Sequence, residues 1–143
     1  MKKLVPFLIV MLFLFVSCNQ TGNSKILGKD FPSHFSFTSY EFNPKDRLAQ
    51  YPFRESYTFF KDGKLVKTRN YNDGRPAIEV DGTYTLEKNK DGEFIKIELN
   101  NNLITLSCTA GVEEYILIES IDKIINRTFA CDGPNYVFEK NSK

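Results

Sequence analysis

Tryptophan is missing from these 143 residues, histidine occurs once, methionine twice and cysteine three times. Each scarcity excludes a chemistry. One histidine, His34, and no CxxC pair leave too few soft ligands for a zinc site. No GxSxG elbow and no glycine-rich phosphate loop is present. A lone histidine in an aromatic strand reads as structural rather than as a general base. The adjacent carboxylates Glu113 and Glu114 point to opposite faces of any strand, and they read as solvated rather than catalytic. An enzyme is therefore not expected, and neither is a cofactor or a metal. Nineteen basic side chains against eighteen acidic ones give no footprint for nucleic acid.

Long apolar runs are also scarce, with one exception at the start. Leu4 to Val16 is apolar, follows Lys2 and Lys3, and ends at Ser17-Cys18. A bilayer-spanning helix needs about 20 apolar residues, so this run suits a cleaved export signal better than a permanent anchor. The tetrapeptide Phe15-Val16-Ser17-Cys18 resembles the lipobox of bacterial lipoproteins, with Phe15 where leucine is usual. That resemblance implies cleavage before Cys18, a diacylglyceryl group on its thiol and an acyl chain such as palmitate on the new amine. It also implies anchoring in the cell envelope, with the outer membrane as the expected location. Each buried CH₂ contributes about 0.8 kcal/mol, so several chains hold a protein on a membrane almost permanently. An ordinary signal peptide with a chance cysteine is the competing reading. The expected division is a signal peptide over 1–17, a flexible tether over 18–25 and one domain over 26–143. The polar stretch Asn19 to Lys25 has a typical reach of ~15 Å.

With Cys18 assigned to lipid, Cys108 and Cys131 remain as a pair. Outside the cytosol thiols oxidise, so a disulfide is expected, worth roughly 3 kcal/mol for a loop of this length. Two buried thiols or half of a metal site are the alternatives.

Thirteen phenylalanines and seven tyrosines are abundant, and they alternate. Phe35, Phe37, Tyr40 and Phe42 share one face if a bulge separates Phe37 from Tyr40. Asn43 to Pro52 reads as a loop or a short helical turn. Tyr57 and Phe59 precede an Asp62-Gly63 turn, after which Leu65, Lys67, Arg69 and Tyr71 share a face. Ile78, Val80, Tyr84 and Leu86 alternate with Gly82 on their face, where glycine relieves crowding or permits a bend. Ile95, Ile97 and Leu99 form the next strand. Ile104, Leu106 and Cys108 predict another, with Cys108 towards the core. EEYILIES reads as a well-covered strand. Residues 121–129 fit a helical face capped by Ser120 or a strand, and the strand is favoured because both neighbours are strands. Cys131 to Pro134 turns into a last strand at Tyr136-Val137-Phe138. Five of the eight glycines follow aspartate, at 63, 74, 82, 92 and 133, and read as tight turns rather than calcium loops.

Eight or nine short strands joined by such turns predict an all-β fold, a single antiparallel up-and-down β-barrel. The elements YTFFKDGKL, DGTYTLEKN, IKIEL and YVFEK resemble those of small lipocalin-like, calycin-type domains of secreted bacterial lipoproteins. Where lipocalins carry Gly-x-Trp, this chain has Gly28-Lys29-Asp30-Phe31. The resemblance implies a binding barrel. Tyr57, Phe59, Tyr84 and Phe138 are candidates to line a cavity for a small apolar ligand, with a packed core as the other use of the same rings. Arg69 and Arg75, flanking a turn, attract an anion or sit as solvated loop charge. The rival expectation is a filled barrel acting as a protein-interaction module, such as an inhibitor, an immunity protein or an envelope-complex subunit.

Overall fold

The computed structural model describes residues 27–41, 52–108, 110–127 and 134–141. Eight strands make one closed antiparallel barrel in sequence order: β1 (Ser33–Tyr40), β2 (Phe53–Phe59), β3 (Lys64–Tyr71), β4 (Ile78–Asn89), β5 (Gly92–Leu99), β6 (Glu113–Ser120), β7 (Lys123–Arg127) and β8 (Asn135–Lys140). Pairing of β1 with β8 closes the ring and removes the sheet edges. The fold is thus the up-and-down barrel that the alternation predicts, and residues 121–129 contain a strand rather than a helix.

Local chemistry explains the strand boundaries. Gly63 turns the β2–β3 hairpin with a φ of 81°, a conformation that side chains with a Cβ rarely adopt, and Phe60 N–H bonds to the Lys64 carbonyl. The expected bulge in β1 lies between Phe37 and Ser39, where the pairing to β8 shifts register. It returns Tyr40 to the side of Phe37, and the two ring centroids stand 5.5 Å apart. One Asp-Gly pair is not a turn. Gly82 lies inside β4, paired with both Leu65 and Leu99. A Cβ there would come within 2.5 Å of the Glu98 carbonyl oxygen, so glycine is needed for the close approach of two backbones.

The two ends of the barrel differ. Short turns join β2–β3, β4–β5 and β6–β7 at one end, which the segment 27–32 covers: Leu27 is buried, and Ser33 Oγ donates to the carbonyls of Leu27 and Asp30. The longer β3–β4 and β5–β6 connections lie at the other end, beside the last residues of β1 and β7 and the first of β2 and β8. The expected signal peptide, the tether, Phe42, the loop at 43–51 and the turn at 131–133 lie outside the described residues.

The β5–β6 connection departs from expectation. Ile104, Leu106 and Cys108 do not form a strand; the chain from 100 to 112 is irregular among its described residues, and Cys108 is exposed rather than turned to the core. The physical reason lies in its partners. Two of its backbone groups bond to charged side chains inside the barrel instead of to a neighbouring strand.

Candidate functional site

Inside the loop end of the barrel, four strands place polar side chains on positions that alternation assigns to the interior. Glu55 and Tyr57 come from β2, Lys67 and Arg69 from β3, Glu114 from β6 and Asn126 from β7. Glu55 pairs with Arg69 across β2–β3, and Tyr57 with Lys67. Lys67, Glu55, Glu114 and Asn126 are all buried, and Lys67 has no exposed surface.

The carboxylate of Glu114 is the hub. Lys67 Nζ donates to its Oε1 at 2.7 Å and Tyr57 Oη donates to its Oε2 at 2.6 Å. Asn126 Nδ2 adds a bond to Oε2 at 3.3 Å, and the Leu106 N–H donates to Oε1. Lys67 Nζ also donates to the Ile104 carbonyl at 2.7 Å. A second carboxylate, Glu55, accepts from Arg69 Nε at 2.7 Å and lies 3.5 Å from Lys67 Nζ through its Oε2. That contact is an ion pair but not a hydrogen bond, and Oε2 is buried without a hydrogen-bond partner. Two cations and two anions thus balance inside the barrel. A charge buried in low dielectric is tolerated only when paired and hydrogen-bonded, as here.

Titration follows from this burial. Burial pushes the Glu55 carboxyl above its ordinary value, against the opposing pull of Lys67 and Arg69. Burial also drives the Tyr57 phenol well up, reinforced by the negative charge of Glu114. Tyr57 is therefore a neutral donor at every ordinary pH. For Arg69, burial acts downward and is the largest single influence, but Glu55 and Tyr71 together outweigh it and the net displacement is upward.

The four rings that are candidates for cavity lining or for a packed core make contacts with one another. Tyr57 stacks on Phe59 at 5.9 Å and meets Phe138 edge-on at 4.8 Å. Phe59 meets Tyr84 at 5.1 Å, and Tyr84 Oη donates to the Phe60 carbonyl. Tyr57, Phe59 and Phe138 have no exposed surface, whereas Tyr84 is half-buried. Two further expectations are corrected. Glu114 is buried, not solvated; only Glu113 faces solvent, 3.1 Å from Lys96. Arg69 is a strand residue bound to Glu55, whereas Arg75 is the exposed loop cation, held by Asp73 at 2.8 Å. His34 lies on β1 with Nδ1 2.8 Å from Thr58 Oγ1, a structural contact between strands. Cys18 and Cys131 lie outside the described residues.

Around the loop end, aromatic rings carry cations. The Arg69 guanidinium sits 4.1 Å from the Phe53 ring centroid and that of Arg75 3.9 Å from Tyr71. Leu103, at the β5–β6 connection, is 65% exposed. At the opposite end an open groove of about 770 Å³ runs past Asp30, His34, Asp122, Lys123 and Glu139, with charges of both signs. Among the described residues, no group of three or more histidine, cysteine or acidic side chains is placed to hold a metal ion. No protein-family model matches the chain, and no curated protein or solved structure matches it.

Proposed function

We propose that this protein is a bacterial envelope lipoprotein, held on the outer membrane by lipid on Cys18, whose barrel is a non-enzymatic binding module for a partner protein. The observation that carries the binding mode is the packing of the interior rings on one another. Tyr57 packs inside the barrel against both Phe59 and Phe138, and the Lys67–Glu114 pair ties the β5–β6 connection across the loop end. A small apolar ligand would have to displace these rings. A partner protein needs only the loop surface, where Tyr71 and Arg75 are of the residue types enriched among interface anchors and the exposed Leu103 adds apolar surface to bury. The lipid anchor is supported by the lipobox resemblance at 15–18 and by a polar segment long enough to serve as a tether. Export also favours a Cys108–Cys131 disulfide.

Native mass spectrometry of the exported protein, followed by pull-down from envelope extracts, tests this reading. The expected result is no co-purified lipid-sized mass in the barrel and a captured protein that Leu103→Asp together with Arg75→Glu releases. A lipid-sized ligand retained in the barrel would favour the apolar-cavity reading instead. Cys18→Ser is expected to move the protein out of the membrane fraction, and retention there would sink the anchor.

A further inference from the structure

The segment Ile104-Thr105-Leu106 enters the barrel as a guest would. Ile104 is buried in the core, and Leu106 packs against it. The segment belongs to no strand, so its backbone is read by side chains: Lys67 Nζ donates to the Ile104 carbonyl, and Glu114 accepts from the Leu106 N–H. One donor and one acceptor, fixed by their mutual ion pair, therefore recognise a carbonyl and an amide two residues apart. That is the chemistry of recognition of an extended peptide, with an aliphatic side chain as anchor.

The internal guest is an imperfect one. Thr105 Oγ1 is buried without a hydrogen-bond partner. An unsatisfied buried hydroxyl is destabilising, and it weakens the segment's hold on its own site. The residues before it, Asn100 to Leu103, are exposed.

We infer that Lys67 and Glu114 form a binding site for an extended peptide segment, occupied within the chain by Ile104–Leu106 and taken in exchange by an aliphatic segment of a partner. This assignment rests on the reading of the loop end as a protein-binding surface and names what that surface would take. The exchange costs little if the incoming segment restores the same two hydrogen bonds and refills the space of Ile104. A bound internal segment reduces the apparent affinity for any external one to the intrinsic affinity multiplied by the fraction of chains whose site stands open. Loosening the internal segment must therefore tighten external binding.

The test is a titration followed by NMR of labelled full-length chain. The probe is the acetylated, amidated peptide of residues 102–107, with valine in place of Thr105. Ile104→Ala is expected to bind it at least tenfold more tightly than the unmodified chain. Lys67→Met together with Glu114→Leu, the pair of changes that keeps the barrel folded, is expected to abolish binding in the Ile104→Ala background while the spectrum stays that of a folded chain. Should Ile104→Ala fail to fold, Ile104→Val gives the same ordering with a smaller ratio. Equal affinity of loosened and unmodified chains, absence of binding at millimolar peptide, or binding that survives Lys67→Met together with Glu114→Leu each overturns the inference. Capture of a partner protein without peptide binding would overturn this inference alone. Loss of partner capture with peptide binding intact would instead sink the broader reading.

Discussion

Lys67 and Glu114 stand 2.7 Å apart, with neither side chain exposed to solvent. Such a pair gains little over a well-packed apolar replacement, but removing one partner strands the other charge. Lys67→Met alone is therefore expected to destabilise the barrel by about 3–5 kcal/mol. The double variant Lys67→Met, Glu114→Leu should recover a large part of that loss. Urea denaturation of the four proteins of this cycle measures the coupling. Single and double variants that lose stability additively would show that the pair does not act as a unit.

Gly82 makes a second, purely steric prediction. An added Cβ would lie 2.5 Å from the Glu98 carbonyl oxygen and 3.1 Å from Leu99 Cα, both backbone atoms that cannot swing aside. Gly82→Ala should force β4 and β5 apart and destabilise by roughly 1–3 kcal/mol. The urea midpoint is expected to fall with an unchanged m-value. An unchanged midpoint would mean that β5 gives way freely.

These two sites also show what could be read beforehand. Alternation from Tyr57 to Leu99 set the inward face of four strands, and Asp-Gly pairs marked most of the tight turns, so the barrel was legible. The same alternation placed Lys67 beside Leu65, and Glu114 two residues before Ile116, on inward positions. It was the expectation that charge seeks water that hid them. A parity pattern assigns a side chain to a face but does not say which opposite charge meets it there. That meeting depends on closure of the barrel, which brings β3 against β6 across the axis. The strand expected at Ile104 failed for the same reason, because its backbone partners are side chains from those distant strands.

Cys108 bears on the compartment. If Cys108 and Cys131 are joined, alkylation of the exported protein should modify neither thiol until it is reduced. Cys108→Ser should then leave Cys131 open to alkylation without reductant, and should lower stability by roughly 3 kcal/mol. Cys108 is exposed in the structure, so this loss would come from the freed chain between the two cysteines and not from a cavity in the core. Alkylation of both thiols in the untreated exported protein would remove the disulfide.

Glu55 should reverse the usual effect of pH on a carboxylate. Burial raises its pKa above the ordinary 4.5, while Lys67 and Arg69 draw it down and Glu114 adds to the rise. Tyr136, whose phenol burial also raises, feels the charge of Glu55 and stays protonated through the acidic and neutral range. With the folded pKa above the unfolded one, the folded state holds its proton longer. The contribution of Glu55 to stability is then fully present below about pH 4.5 and declines as pH rises through the folded value. Glu55→Gln keeps the acceptor for Arg69 Nε but cannot titrate. The stability of the unmodified protein minus that of Glu55→Gln should thus shrink as pH rises from 4.5 and level off above the folded value. Urea midpoints across this range decide between two forces. A difference that grows with pH would mean that attraction to Arg69 and Lys67 outweighs burial, and that Glu55 is held as an anion throughout.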